Sequence, residues 1–516
     1  RLEGIVVAPR RTGHAWFRVL HAAQDAARKL AVFDGGIIGS GSTKRFGGLI
    51  WFLTPLSVDI FDATNQKKLR TPIMLQQTTR RRFLKRSLES TAVTAAISSL
   101  GGVHAAVAEE RAALNIGIIG CGTMMDHHVK RLASFHQNVS ITWLCDVDPA
   151  QIERRAIHLD RLKLKAPQKT SRYEDVVSDK NVDAVVIATP HHWHAPIAIQ
   201  AMSEGKDCYI EKPISHVYNE GLEIIKASKK YKRVVQQGSQ MRSSPVTAKA
   251  AKLLQDGIIG EIKVARAWTA ENRDIVQPVA DSQPPSGVLY DRWLGPAPKH
   301  AFNKHRFHQT WRMFRDYGNG EIGDDGIHDL DMACWGLDVD TVPSQITARG
   351  GRMKLHGHYS EYPDNMNVAY EYPDGRLLIY ENYPFTAYGL HGFDNGNAFY
   401  GTEGFMIFSR RGAFSTFLGP KGKPGPTEGK ELRGQRGYDE HMADFLHAVR
   451  TRNLATNARA EFAHHSCALV HFGEIAYLTA GRLDFDHESG QFSDCEEANQ
   501  LLSKTYREPY TLLSVD

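Results

Sequence analysis

Between Asn115 and Gln240 the chain alternates short continuous apolar runs with longer stretches of mixed polarity. The runs are "NIGIIG" (115–120), "SITWLCDV" (140–147), "DAVVIATP" (183–190), "DCYIEKP" (207–213) and "RVVQQGSQ" (233–240). Apolar runs of this length without alternation are the pattern of strands buried on both faces. Intervening segments such as "APIAIQAMSEG" and "NEGLEIIKASKKY" have helical character. Strand–helix repetition with right-handed crossovers predicts a doubly wound parallel sheet over residues 109–240.

Beyond Gln240 the pattern changes to longer alternating stretches: "EIKVARAWTA" (261–270), "MNVAYEYPDGRLLIYENY" (366–383) and "NAFYGTEGFMIFSRRGAFSTF" (397–417). Period-two alternation broken by Pro-Asp-Gly and Gly turns predicts an antiparallel sheet with one wet and one covered face. "YDEHMADFLHAVRTR" and "AHHSCALVHFGEIAYLTAG" read as helices that cover it. The expected fold class is α/β: an N-terminal doubly wound (Rossmann) domain, then an α+β domain over 241–481 with a mostly antiparallel open sheet. A tail, 482–516, is expected to pack back on the body. The length of 516 residues exceeds what one core ordinarily serves, which agrees with two domains plus extensions.

Charge refines this division. The net charge is +5, yet residues 1–108 hold 16 Lys and Arg against 6 Asp and Glu, leaving 47 against 52 for the rest. The body is therefore slightly acidic, and a nucleic-acid partner is not expected. Within the basic head, Thr79-Arg80-Arg81-Arg82-Phe83-Leu84-Lys85 precedes a modestly apolar run ending in Ala106-Val107-Ala108. This order resembles a twin-arginine (Tat) export signal over residues 74–108, with mature protein from near Glu109. It implies a partner in the Tat export machinery and a periplasmic location. Residues 1–73 are expected to be an unstructured or artefactual extension ahead of Met74. The six cysteines fall in strands, a glycine loop and apolar helices, so buried free thiols are expected rather than disulfides.

The first predicted strand runs directly into "GCGTMM". Gly120 and Gly122, with Thr123 and Met124 opening the next helix, form the expected cradle for a dinucleotide pyrophosphate. The third glycine position of the pattern holds Met125, which implies a slightly displaced helix. Asp146 ends the next strand 24 residues after Gly122, where an acid accepts bonds from the adenosine ribose and repels a 2′-phosphate. NAD is accordingly expected in preference to NADP.

"ATPHHWHAPIAIQAMSEGKDCYIEKPIS" (188–215) resembles the signature of the Gfo/Idh/MocA family of NAD(P)-dependent oxidoreductases, and the resemblance extends over about residues 114–511. It implies that Lys212 is a catalytic lysine beside the nicotinamide and that Glu211 helps hold the cofactor. It also implies that Thr189, Pro190 and His194 line the site. A lysine at the carboxyl end of a parallel strand does face the crevice where such sheets bind ligands. His191, His192 and His194 on one short loop are not expected to converge on a metal.

"EIGDDGIHDLD" (321–331) packs five carboxylates around His328. On an α-helix Asp324 lies one turn before His328, and a carboxylate bonded to imidazole raises its basicity. The same spacing resembles the family's helix motif, which maps the catalytic pair onto Asp324 and His328. Glu321, Asp325 and Asp329 are expected to be solvated or capping, and Asp331 to support the site. The aromatic, Arg- and His-rich stretch 288–311, with nearby Tyr317, is either packing or a sugar-binding wall, with Arg306, His308 and Tyr317 as candidate substrate contacts.

The expected activity is hydride transfer between a sugar or polyol hydroxyl carbon and NAD, with His328 and Asp324 as acid–base pair and Lys212 polarising the oxygen. The alternative is a glycosidase that oxidises, eliminates and re-reduces on one bound NAD. A non-catalytic sugar sensor on the same frame is a third reading. The open sheet is expected to form a homo-oligomer.

Overall fold

A computed structural model describes residues 113–271, 276–353, 359–383, 385–429 and 436–515. All belong to one compact unit spanning 105–516. The expected extension 1–73 and the export signal 74–108 lie outside the described residues.

The first sheet is wholly parallel, with order β3-β2-β1-β4-β5-β6. Its strands are β1 (Leu114–Ile119), β2 (Val139–Cys145), β3 (Gln168–Thr170), β4 (Ala184–Ile187), β5 (Asp207–Ile210) and β6 (Val235–Gln237). Five were expected. The edge strand β3 carries Gln-Lys-Thr and is mostly exposed, so it leaves no apolar signal. Ile116, Ile118, Val185, Val186 and Ile187 are fully buried, as the unbroken apolar runs require. The strand order reverses between β1 and β4, which opens a crevice at their carboxyl ends.

The second sheet has ten strands in the order β14-β13-β12-β11-β7-β10-β9-β8-β15-β16. They are β7 (Ile262–Thr269), β8 (Gln345–Gly351), β9 (Asn365–Glu371), β10 (Leu377–Asn382), β11 (Asn395–Gly401), β12 (Gly404–Ser409), β13 (Ala413–Leu418), β14 (Lys423–Glu428), β15 (Arg482–Asp486) and β16 (Gln491–Phe492). Every pairing is antiparallel except β7 with β10. Helices Pro245–Gln255, Ile327–Leu337 and Ala460–Leu478 pack against it. Gly336 lets the second of these settle on Phe399, whose ring would lie 2.3 Å from an added Cβ. Phe399 is buried beneath this helix, whereas the adjacent Tyr400 stacks on half-buried Phe405, which in turn stacks on Phe417.

The domains are not separated by one cut. Met442, Phe445 and Leu446 of helix Tyr438–Thr451 share a core with Ile116, Ile118 and Leu144 of the first sheet. The tail supplies β15 to the second sheet, and its Lys504 and Arg507 reach Glu220 and the Gly295 carbonyl. All six cysteines are free, five of them buried. Among the described residues no helix is long and apolar enough to cross a membrane.

Candidate active site

A cavity of about 570 Å³ opens at the carboxyl ends of β1, β2, β4 and β5. Gly120, Asp146, Ala188–Pro190 and Glu211–Lys212 each follow one of these strands and line it. Phe307–Gln309, Trp311 and Arg312 supply a wall, and Asp324, Asp325 and His328 close one end.

At one end of the cavity the chain forms a cradle. Gly120 has φ +91°, and a Cβ there would meet the Ala188 carbonyl at 2.6 Å. At Gly122 an added Cβ meets nothing within 4 Å, so the space above this backbone is open to a ligand. Thr123 and Met124 line the same end. Met125 is fully buried in the core under its helix, so the missing third glycine is met by packing. The Thr189 hydroxyl is buried in the cavity wall without a protein partner.

Asp146 accepts from the Cys121 N–H at 2.7 Å and the Asp148 N–H at 2.9 Å. Burial nevertheless pushes its carboxyl up to about 6 against those donors. A carboxylate has about four acceptor positions, so these two bonds leave capacity for ribose hydroxyls. Asp148 caps helix Pro149–Arg161 through Ala150 N–H at 2.9 Å, and its other oxygen takes His308 Nε2 at 3.1 Å. His308 thus lines the cavity beside Asp148, close to the Asp146 end.

The other end joins three remote segments. Lys212 Nζ donates to Asp324 Oδ1 at 2.8 Å and also to the Asp324 carbonyl. Arg312 Nε donates to the same carboxylate oxygen at 3.0 Å, and its guanidinium lies 4.5 Å from the Trp311 ring centre. Residues 322–326 form a π-helical turn ahead of helix Ile327–Leu337, wider than the α-turn assumed from spacing. Gly326 passes against Tyr380, whose hydroxyl would lie 2.2 Å from a Cβ. Here the Asp324 carboxylate engages Lys212 and Arg312, while Asp325 is the carboxylate acting most strongly on His328. Burial holds His328 well below the ordinary imidazole value, and the charges of Lys212 and Arg410 add to it.

The remaining acids correct the expectation of a solvated face. Asp329 is fully buried, accepts from Thr269 at 3.0 Å, and is pushed up to about 8 by burial. Glu321 is also buried, and Asp331, expected to support the site, is instead buried against Arg242 at 2.9 Å, outside the cavity lining. Asp325 pairs with Arg410 at 3.0 Å, which also reaches Glu271 at 3.3 Å. The helix packs against the second sheet and against helices Pro245–Gln255 and Ala460–Leu478, which buries these acids against partners.

Glu211 accepts from His128 at 2.6 Å. Burial alone would raise its pKa, but the His128 bond and nearby charge hold it at about 2. His194 does not line the cavity: its ring nitrogens meet the Thr189 carbonyl at 2.9 Å and the Pro213 carbonyl at 2.8 Å, tying the ends of β4 and β5 together. Arg306 packs on Phe314 and Tyr359, and Tyr317 is buried against Trp293. These two form the packing of the aromatic segment, outside the cavity lining. Arg410 and His128 escaped sequence reading because each meets its partner more than 80 residues away in the chain, and Arg312 because only the fold brings it to Asp324. Among the described residues no cluster suits a metal ion.

Two regions of the chain match one known family. Residues 114–239 match its NAD-binding Rossmann fold, and residues 206–388 with 426–512 match its C-terminal alpha/beta domain. The chain belongs to the Gfo/Idh/MocA oxidoreductase family. Its relatives include an inositol 2-dehydrogenase/D-chiro-inositol 3-dehydrogenase of Lactiplantibacillus plantarum, 31% identical over 147 residues, 28% of this chain and 41% of that protein. An Escherichia coli 2,7-anhydro-N-acetylneuraminate hydratase is 24% identical over 52% of this chain and 61% of its own. An alpha-N-acetylgalactosaminidase of Shewanella oneidensis is 26% identical over 32% and 37%. The matches thus span less than two thirds of these relatives. In fold, the family member resembles levoglucosan dehydrogenase in complex with NADH and levoglucosan, with TM-score 0.56 and 20% identity over 72% of this chain and 99% of that one. An aldose-aldose oxidoreductase from Caulobacter crescentus has TM-score 0.55 at 16% identity, over 72% of this chain and all of that one.

Proposed function

We propose that the protein is an NAD-dependent oxidoreductase acting on a hydroxyl-bearing carbon of a saccharide or polyol. The observation that carries this is Lys212, in one cavity with the dinucleotide cradle and His328 and bonded to Asp324. Gly120, Gly122, Thr123 and Met124 would hold the pyrophosphate, Asp146 the adenosine ribose, and Thr189, Pro190 and Glu211 the nicotinamide end. The open space over Gly122 and the unpartnered Thr189 hydroxyl fit such a group. Bound NAD supplies a hydride acceptor. His328, kept neutral by burial and by Lys212 and Arg410, offers a lone pair to take the substrate hydroxyl proton. Lys212 donates to the same oxygen as it becomes a carbonyl, and Asp324 with Arg312 fixes the ammonium in place.

Similarity to the Shewanella glycosidase favours a second reading, oxidation, elimination and re-reduction of a glycoside on one NAD. A retained cofactor also suits export of a folded protein by the Tat route, placing the enzyme in the periplasm with that machinery as its partner. The half-buried Tyr400, Phe405 and Phe417 stack suits a second copy of the chain docking on the open sheet, and light scattering on purified protein would report a monomer if this is wrong.

Mass spectrometry of the bound nucleotide, with a screen of sugars, polyols and nitrophenyl glycosides followed by NADH absorbance, tests the function. Net NADH formation supports the dehydrogenase. Chromophore release without net NADH supports the glycosidase, and neither activity would refute both.

A further inference from the structure

Three histidines follow Pro190, and their nitrogens are used differently. His192 turns Nε2 to the Trp293 carbonyl at 3.0 Å and Nδ1 toward the Tyr317 carbonyl at 3.5 Å. His194 is taken up at both nitrogens, as described above. His191 has one nitrogen engaged: Nδ1 lies 2.9 Å from Asn319 Oδ1. Its Nε2 has no protein partner, is not sealed off from solvent, and belongs to a ring lining the cavity.

The surroundings fix which nitrogen carries the proton. Asn319 Nδ2 donates to the His216 carbonyl and to Glu474 Oε2, each at 3.0 Å. A backbone carbonyl only accepts, so this pair of contacts settles the amide orientation and turns Oδ1 toward His191. Because Oδ1 also only accepts, His191 Nδ1 must be the donor. The ring is 2% exposed, Trp311 meets it edge-on at 4.7 Å, and burial with the charges of Lys212 and Arg312 keeps it neutral. A neutral ring protonated at Nδ1 has a bare lone pair at Nε2.

We propose that His191 is a substrate-binding residue whose Nε2, fixed as an acceptor by Asn319, receives a hydrogen bond from a saccharide or polyol hydroxyl beside Lys212. Asn319 acts through His191 across the domain boundary as a positioning residue, and Glu474 anchors it from within its own domain. The assignment rests on the oxidoreductase reading for its ligand, while the ring tautomer is independent of it.

The test uses the full chain loaded with NAD. Nitrogen NMR of histidine-labelled protein, with His191→Phe for assignment, should show His191 Nδ1 as protonated and Nε2 as unprotonated; a protonated Nε2 overturns the proposal. Kinetics then use whichever of myo-inositol, D-glucose or a nitrophenyl N-acetylgalactosaminide is turned over fastest. His191→Phe should raise KM for that compound about tenfold, with kcat within about threefold and NAD affinity unchanged. Asn319→Leu should raise KM in the same direction and release the tautomer, and His191→Gln, which can present an amide oxygen, should recover part of the loss. Weaker NAD binding with unchanged KM would instead place the nicotinamide amide on Nε2 and refute the assignment. Absence of turnover by the parent protein refutes the oxidoreductase reading, leaving the nitrogen resonances to decide the tautomer.

Discussion

The two ends of the cavity are built on different principles. The cradle end comes mainly from neighbours in sequence: Gly120 to Met124 follow one strand, and Asp146 follows the next. The end around Lys212 draws on residues 212, 312, 324, 325, 328 and 410, brought together only when the two sheets meet. Backbone shape suffices to receive a pyrophosphate, whereas proton transfer needs side chains from several directions whose charges offset one another.

The sharpest way to break this contrast is to fill the cradle. Gly122→Val places a side chain in the open space, and NAD affinity measured by calorimetry should fall about 10- to 100-fold while melting temperature stays within a few degrees. At the other end, Asp324→Ala should leave NAD affinity intact and lower kcat about 10-fold or more, because Lys212 and Arg312 lose their shared anchor. Arg312→Leu should lower kcat by less, about three- to tenfold, since Lys212 keeps Asp324. If it costs more than Asp324→Ala, Arg312 itself touches substrate.

Acid response separates the ends more finely. An unperturbed histidine titrates near 6.5, and His328 is depressed below that. The activity's acid limb should therefore lie well below pH 6.5, with the base form intact at pH 6. Stability follows the same sign: burial lowers His192 and His464 to about 3 and His441 and His471 to about 4. Their contribution is complete above the unfolded value and is lost as pH falls from about 6.5 toward these folded values. Burial raises Glu474 to about 8, so its contribution runs the other way, complete at acid pH and lost as pH rises toward 8. Denaturation at pH 5 should consequently take up protons, detectable as a buffer-dependent unfolding enthalpy.

Legibility in the sequence follows the same division. Unbroken apolar runs located five of the six strands of the first sheet, and period-two alternation located the hairpin β9–β10 and strands β7 and β11 to β13. Strands β3, β14 and β16 are too short or too polar to stand out, and β15 sits in a tail separated from its partner β8 by more than 100 residues. At the site, Lys212 and the glycines declare themselves through position after a strand. The 321–331 segment misled in detail because its turn is π-helical and its acids are buried. His194 carries a motif position yet serves the backbone of β4 and β5, while His191 beside it faces the cavity. Hydrogen-bond partners distinguish them: the nearby Thr189 and Pro213 carbonyls for His194, and Asn319 from the other domain for His191.

The central claim is that Lys212 and His328 perform proton transfer at one end of a cavity whose other end independently holds NAD. Single-turnover reduction of bound NAD in Lys212→Ala and His328→Ala tests it most directly. Both variants should bind NAD like the parent and reduce it at least about 10²-fold more slowly. Reduction within a few-fold of the parent in both would contradict the account.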